Sequence, residues 1–102
     1  MSVQPRYTLR TDVPYYEIAE LLEGIVGMEK PFTMLGPPEL HPSALVVDSP
    51  GKKNLSEILD DKTSKRFQVE PLGPNELVIY GSAITKKVMR ELEETLRSNY
   101  FR

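Results

Sequence analysis

The chain has 102 residues, with 13 Lys and Arg against 15 Asp and Glu, one histidine and no cysteine, for a formal charge of −2. That length supports a single domain, residues 1–102, around one core. The missing cysteine excludes a disulfide framework, a thiolate metal site and a thiol nucleophile, and no apolar run approaches the roughly 18 residues of a membrane span.

No N-terminal apolar run resembles a signal peptide, so the expected compartment is cytoplasmic, or nuclear in a eukaryote. The charge is unevenly placed: residues 1–51 carry 3 basic against 7 acidic residues, and residues 52–102 carry 10 against 8. Neither half has the basic excess typical of a nucleic-acid binder, although the second half keeps that class open.

Residues 3–10 alternate, with Val3, Tyr7 and Leu9 on one side and Gln4, Arg6, Thr8 and Arg10 on the other, the pattern of a half-buried strand. Pro5 cannot donate a ladder hydrogen bond and places the strand's beginning at an edge or a sheet end. A helix start follows at Thr11-Asp12-Val13-Pro14, with Asp12 as the capping candidate and Pro14 preset for the first turn. Its buried stripe is Tyr15, Ile18, Leu22 and Ile25, and Gly24 or Gly27 ends it.

Between Met28 and Pro50 five prolines punctuate two short runs that read as strands, Phe32–Leu35 and Ala44–Val47. Residues 54–59 form a helical turn or two capped by Asn54, and the polar stretch Asp60 to Arg66 reads as a mobile loop. Phe67–Leu72 and Leu77–Tyr80 then make a hairpin about Gly73-Pro74-Asn75. Gly81-Ser82 breaks the last strand before a long amphipathic helix, whose apolar stripe is Ile84, Val88, Leu92, Leu96 and Tyr100, widened by Met89.

Candidate chemistry is sparse. His41 stands alone, which makes a poor zinc site, and Asp60-Asp61 lacks the ligand spacing of a calcium loop. No cofactor and no catalytic residue is expected. Ser82 with Lys86 and Lys87 opens the long helix, where free amides and the helix dipole favour an anion, while plain capping by Ser82 explains the same residues. Lys52, Lys53, Lys62, Lys65 and Arg66 form the densest basic stretch, with only Phe67 as a neighbouring aromatic.

Strand, helix, further strands and a closing long helix, with Pro38-Glu39-Leu40-His41-Pro42-Ser43-Ala44-Leu45-Val46 and Glu76-Leu77-Val78-Ile79-Tyr80-Gly81-Ser82-Ala83, resemble one repeat of the TATA-box-binding protein. The resemblance implies a curved antiparallel sheet with two main helices on one face, an α/β (α+β) fold. It also implies minor-groove binding by paired phenylalanine wedges. This chain departs from that pattern: His41 stands near the first wedge, and Val69, Glu70 and Pro71 offer none at the second. A KH-like βααββα order is the alternative, without the Gly-x-x-Gly clamp.

These readings converge on a non-enzymatic module that engages a protein, or else a nucleic acid, through an exposed sheet face, and the resemblance implies a transcription-related setting. That face is expected to carry Arg6, Thr8 and Arg10, with Gln68, Val78 and Tyr80 beside them. The competing expectation is a small enzyme or regulatory subunit binding a phosphorylated ligand at Ser82, Lys86 and Lys87, with His41 or Asp48 nearby. A homodimer is expected too, joined along the first strand through Val3, Tyr7 and Leu9, as two copies would complete the saddle that the resemblance implies.

Overall fold

A computed structural model describes residues 5–37, 39 and 42–100, apart from the side chains of Asn99 and Tyr100. His41 and Val3 lie outside the described residues. The elements are β1 (Arg6–Arg10), α1 (Tyr15–Val26), β2 (Pro31–Leu35), β3 (Ala44–Asp48), α2 (Leu55–Asp60), β4 (Arg66–Gly73), β5 (Glu76–Tyr80) and α3 (Lys86–Tyr100). The five strands form one antiparallel sheet in the order β1-β5-β4-β3-β2. The fold is therefore α+β, and no described helix is long and apolar enough to cross a membrane.

Register fixes which side chains share a face, because successive strand residues point to opposite sides. One row runs across all five strands as Tyr7, Ile79, Val69, Ala44 and Leu35, and the rows on either side of it place Leu9 beside Leu77 and Phe67 beside Val46. Apart from Leu35, which the edge strand leaves exposed, these rows form the core together with Ile18, Ala19 and Leu22 of α1 and Met89, Leu92 and Leu96 of α3. α1 lies over β3 and β4 and packs against α3, so both long helices cover one face. Phe67 is the largest fully buried side chain, and its burial alone stabilises by about 1.5–3 kcal/mol.

The ends of α1 differ in part from the sequence expectation. Asp12 does not cap it: Pro14 occupies the N-cap position with no side-chain bond, and the buried Thr11 hydroxyl instead accepts from the Val13 N–H at 3.1 Å. Gly27, not Gly24, ends the helix at φ 79°, and its N–H donates to the Glu23 carbonyl, as a left-handed cap requires. α2 starts as expected, with Asn54 Oδ1 accepting from Glu57 N at 2.9 Å.

The stretch read as a mobile loop, Asp60 to Arg66, is held by a hydrogen-bond network. Asp61 Oδ1 accepts from the Thr63 backbone at 3.0 Å and from its hydroxyl at 2.6 Å, while Oδ2 meets Lys52 Nζ at 2.9 Å. Hydrogen bonds from Thr63 and Lys52 hold the Asp61 carboxyl well below the usual carboxylate range, and Asp61 raises Lys52 in return. A depressed carboxyl keeps its stabilising effect above its unfolded value and loses it as pH falls, so this network weakens on acidification below the ordinary carboxylate range.

Candidate functional site

The sheet face opposite α1 and α3 is the candidate site. Its central row is Arg6, Tyr80, Gln68, Leu45 and Met34, one residue from each strand, flanked by Thr8, Val78 and Glu70 on one side and by Arg66, Val47 and Phe32 on the other. Arg6, Thr8 and Arg10 are exposed, Gln68, Leu45 and Tyr80 are half-buried, and Met34 is exposed. Val78 and Val47 are buried on this face, so it is not bare throughout. The sheet thus places Arg6, Thr8, Arg10, Gln68 and Tyr80 on one face, the first three through the alternation of β1 and the last two through strand pairing.

Tyr80 is the best-fixed side chain of the row. Its hydroxyl donates to Glu70 Oε1 at 2.6 Å, and the Arg6 guanidinium carbon lies 4.3 Å from the ring centroid. Such a cation–π contact at an exposed site is worth about 0.5–1 kcal/mol. Burial, and then the bond to Glu70, push the Tyr80 hydroxyl up to about 12. The folded state favours the neutral phenol, so Tyr80's contribution is complete below its ordinary value of 10.0 and is lost as pH rises toward 12. A difference ultraviolet titration, wild type minus Tyr80→Phe, is expected to show one phenol with a midpoint near 12; a midpoint near 10 contradicts the bond to Glu70.

At the end of Tyr80 the face sinks into a cleft of about 350 Å³, lined by Leu45, Lys62, Arg66, Gln68, Tyr80 and Ser82. Lys62 reaches it from the β3–β4 connection. Arg66 donates through Nη2 to the Asp61 carbonyl, but its Nε is buried with no hydrogen-bond partner. The turn after β5 forms the rim: the Ser82 hydroxyl accepts from Arg66 N at 3.2 Å, and Ala83 N donates to the Arg66 carbonyl at 3.0 Å.

Ser82 is thus committed to β4 and does not cap α3. That role falls to Thr85, whose hydroxyl accepts from Val88 N at 3.2 Å. Ser82 and Lys87 share a second cleft of about 310 Å³ with Lys65 and Glu91, and Lys86 is exposed and lines neither cleft. Asp48 does not join them: its Oδ1 accepts from Lys30 N at 3.0 Å, tying the ends of β2 and β3. The structure thus brings Ser82 and Lys87 together beside Lys65, while Lys86 and Asp48 stand apart from them, and no group of three or more potential metal ligands occurs among the described residues.

The basic stretch divides in the same way. Lys62 and Arg66 face the first cleft, Lys65 the second, and Lys52 pairs with Asp61. Phe67 points into the core and is closed to base stacking. Along β1, Leu9 is buried and the half-buried Tyr7 packs against the core, while Val3 lies outside the described residues. No family model matches the chain, and neither a curated protein nor a solved structure matches it significantly.

Proposed function

We propose that this chain is a non-enzymatic binding module that engages a protein partner through the open face of its sheet. The observation that carries this reading is the five-strand row Arg6, Tyr80, Gln68, Leu45 and Met34 on the side away from both long helices. Arginine, tyrosine and methionine are the residue types enriched where proteins meet, and an anchored tyrosine adds contact area at small entropic cost.

A protein suits this face better than a nucleic acid. Glu70 and Glu76 stand among its cations, and like charge opposes a phosphate backbone. The Tyr80 ring is already covered by Arg6, so a stacking base would have to displace it. The resemblance to a TATA-box-binding-protein repeat supports the same face, and a transcription-related setting in the cytoplasm or a nucleus is part of this proposal. A salt titration against duplex and single-stranded nucleic acid tests the partner class. Negligible binding at low salt is expected, and tight binding that falls steeply with salt would overturn the protein reading.

The proposal extends to a homodimer paired along β1, an edge of the sheet, through its backbone groups. Sedimentation across a concentration series reads this directly. A dimer mass at high micromolar concentration is expected, and a persistent monomer contradicts it.

A further inference from the structure

We propose that the cleft at the Tyr80 end of the open face holds an acidic side chain of the partner together with an adjoining aliphatic one, so that the ligand is an acidic–aliphatic peptide segment. The inference rests on the open-face reading and assigns its anchor point.

Charge is the first argument. Lys62 and Arg66 both line the cleft, and none of its described lining residues is acidic. The other described cations of the strand rows have partners of their own: Arg6 lies over Tyr80, and Arg10 comes within 4.0 Å of Glu76. Lys62 and the Nε of Arg66, whose Nη2 already donates to the Asp61 carbonyl, are left to meet an incoming anion. Arg66 is also the one described residue with a buried side-chain polar atom that lacks a hydrogen bond. A buried donor without an acceptor is rare in a folded chain, which leaves Nε able to donate to an incoming acceptor. A small turn of the guanidinium would present Nε and a neighbouring nitrogen side by side, the fork that matches two carboxylate oxygens.

The walls argue for a carboxylate on an apolar stem and against free phosphate. Leu45 and the Tyr80 ring give the cleft apolar sides, and Gln68 adds an amide between them. A phosphate site is built from free backbone N–H groups. At this rim those of Arg66, Ala83 and Ile84 already donate, to the Ser82 hydroxyl, the Arg66 carbonyl and the Gly81 carbonyl. The volume of about 350 Å³ lies at the small end of ligand pockets, which run from roughly 300 to 1,000 Å³. A cleft of that size takes an anchor from a larger partner, as hot-spot pockets do.

The test is a titration of the ¹⁵N-labelled protein with a capped peptide of alternating Glu and Leu, and in parallel with its Gln–Leu counterpart and with inorganic phosphate. The Glu–Leu peptide is expected to move the amide signals of Gln68, Tyr80, Gly81 and Ser82. Lys62→Glu, a change at an exposed site that leaves the core untouched, is expected to weaken binding at least about fivefold. Arg90→Glu, on the exposed side of α3, serves as the control and is expected to leave it unchanged. Equal binding of the Gln–Leu peptide, no effect of Lys62→Glu, or no shift at all overturns the cleft assignment. Phosphate that reproduces the peptide's shifts overturns it too, in favour of a small-anion site. Shifts at Thr8, Arg10 and Met34 alone would move the anchor and keep the face, whereas shifts confined to the outer sides of α1 and α3 would sink the open-face reading itself.

Discussion

Gly81→Ala is expected to cost about 3–5 kcal/mol and to lower the melting temperature by more than about 12 °C. Gly81 sits at φ 140°, in the region that side-chain-bearing residues rarely adopt. A Cβ built there would lie 2.5 Å from both the Arg66 carbonyl oxygen and the Phe67 Cα. Both obstacles are backbone, so no rotamer change relieves them, and β4 would have to separate from the turn that follows β5. That separation breaks the bonds of Arg66 to Ser82 and Ala83 and opens the floor of the first cleft. Gly73→Ala is the matched control, since nothing stands within 4 Å of a Cβ at that position and its φ is ordinary. Thermal unfolding by circular dichroism reads both. If Gly81→Ala melts with the wild type, the close approach of the two strands is wrong.

Phe67→Ala is expected to destabilise by about 3–5 kcal/mol, a large part of the roughly 5–15 kcal/mol that holds a domain together. The ring is 1% exposed and faces the helix side of the sheet, in the cluster built by α1 and α3. Its loss removes the transfer free energy of the ring and leaves a cavity that rigid strands cannot close. Urea unfolding should show a lower midpoint with an unchanged slope, because the surface exposed on unfolding is nearly the same. A change below about 1 kcal/mol would mean that the ring is not in the core, and would reopen Phe67 as a stacking residue beside the basic stretch.

Much of this architecture is legible in the sequence, because it rests on local periodicity. The stripe Ile84, Val88, Leu92 and Leu96 announces α3, and β1's alternation separates Arg6, Thr8 and Arg10 from Tyr7 and Leu9. The five-strand class follows from short apolar runs between prolines and glycines. Strand neighbours are less legible, since β1 pairs with β5 across the length of the chain and only that pairing puts Arg6 over Tyr80. The cleft was illegible for the same reason: Leu45, Lys62, Gln68 and Ser82 meet through register, and no spacing in the sequence signals it.

The Ser82 expectation failed for a different physical reason. A serine before a helix is a capping candidate on local grounds, but Gly81 brings the turn so close to β4 that the Arg66 N–H takes the hydroxyl first, and Thr85 is left at the helix start. Asp12 lost its role in a similar way, with Thr11 closing the turn ahead of Pro14. Asp61 shows the converse. A polar run that reads as a loose loop is tied down by one carboxylate bonded to Thr63 and Lys52, and Lys62 is carried to the first cleft as a consequence.

The most direct test of the central claim is quantitative affinity capture of bound proteins, comparing the wild type with an Arg6→Glu/Arg10→Glu variant and with an Arg90→Glu/Glu94→Arg variant. Arg6 and Arg10 stand on the open face, while Arg90 and Glu94 are exposed on α3, so each pair alters charge on one surface without touching the core. The account predicts that a protein retained by the wild type and by the α3 variant is lost from the Arg6→Glu/Arg10→Glu variant. Retention by the face variant with loss from the α3 variant would contradict it and place the binding surface on the helices.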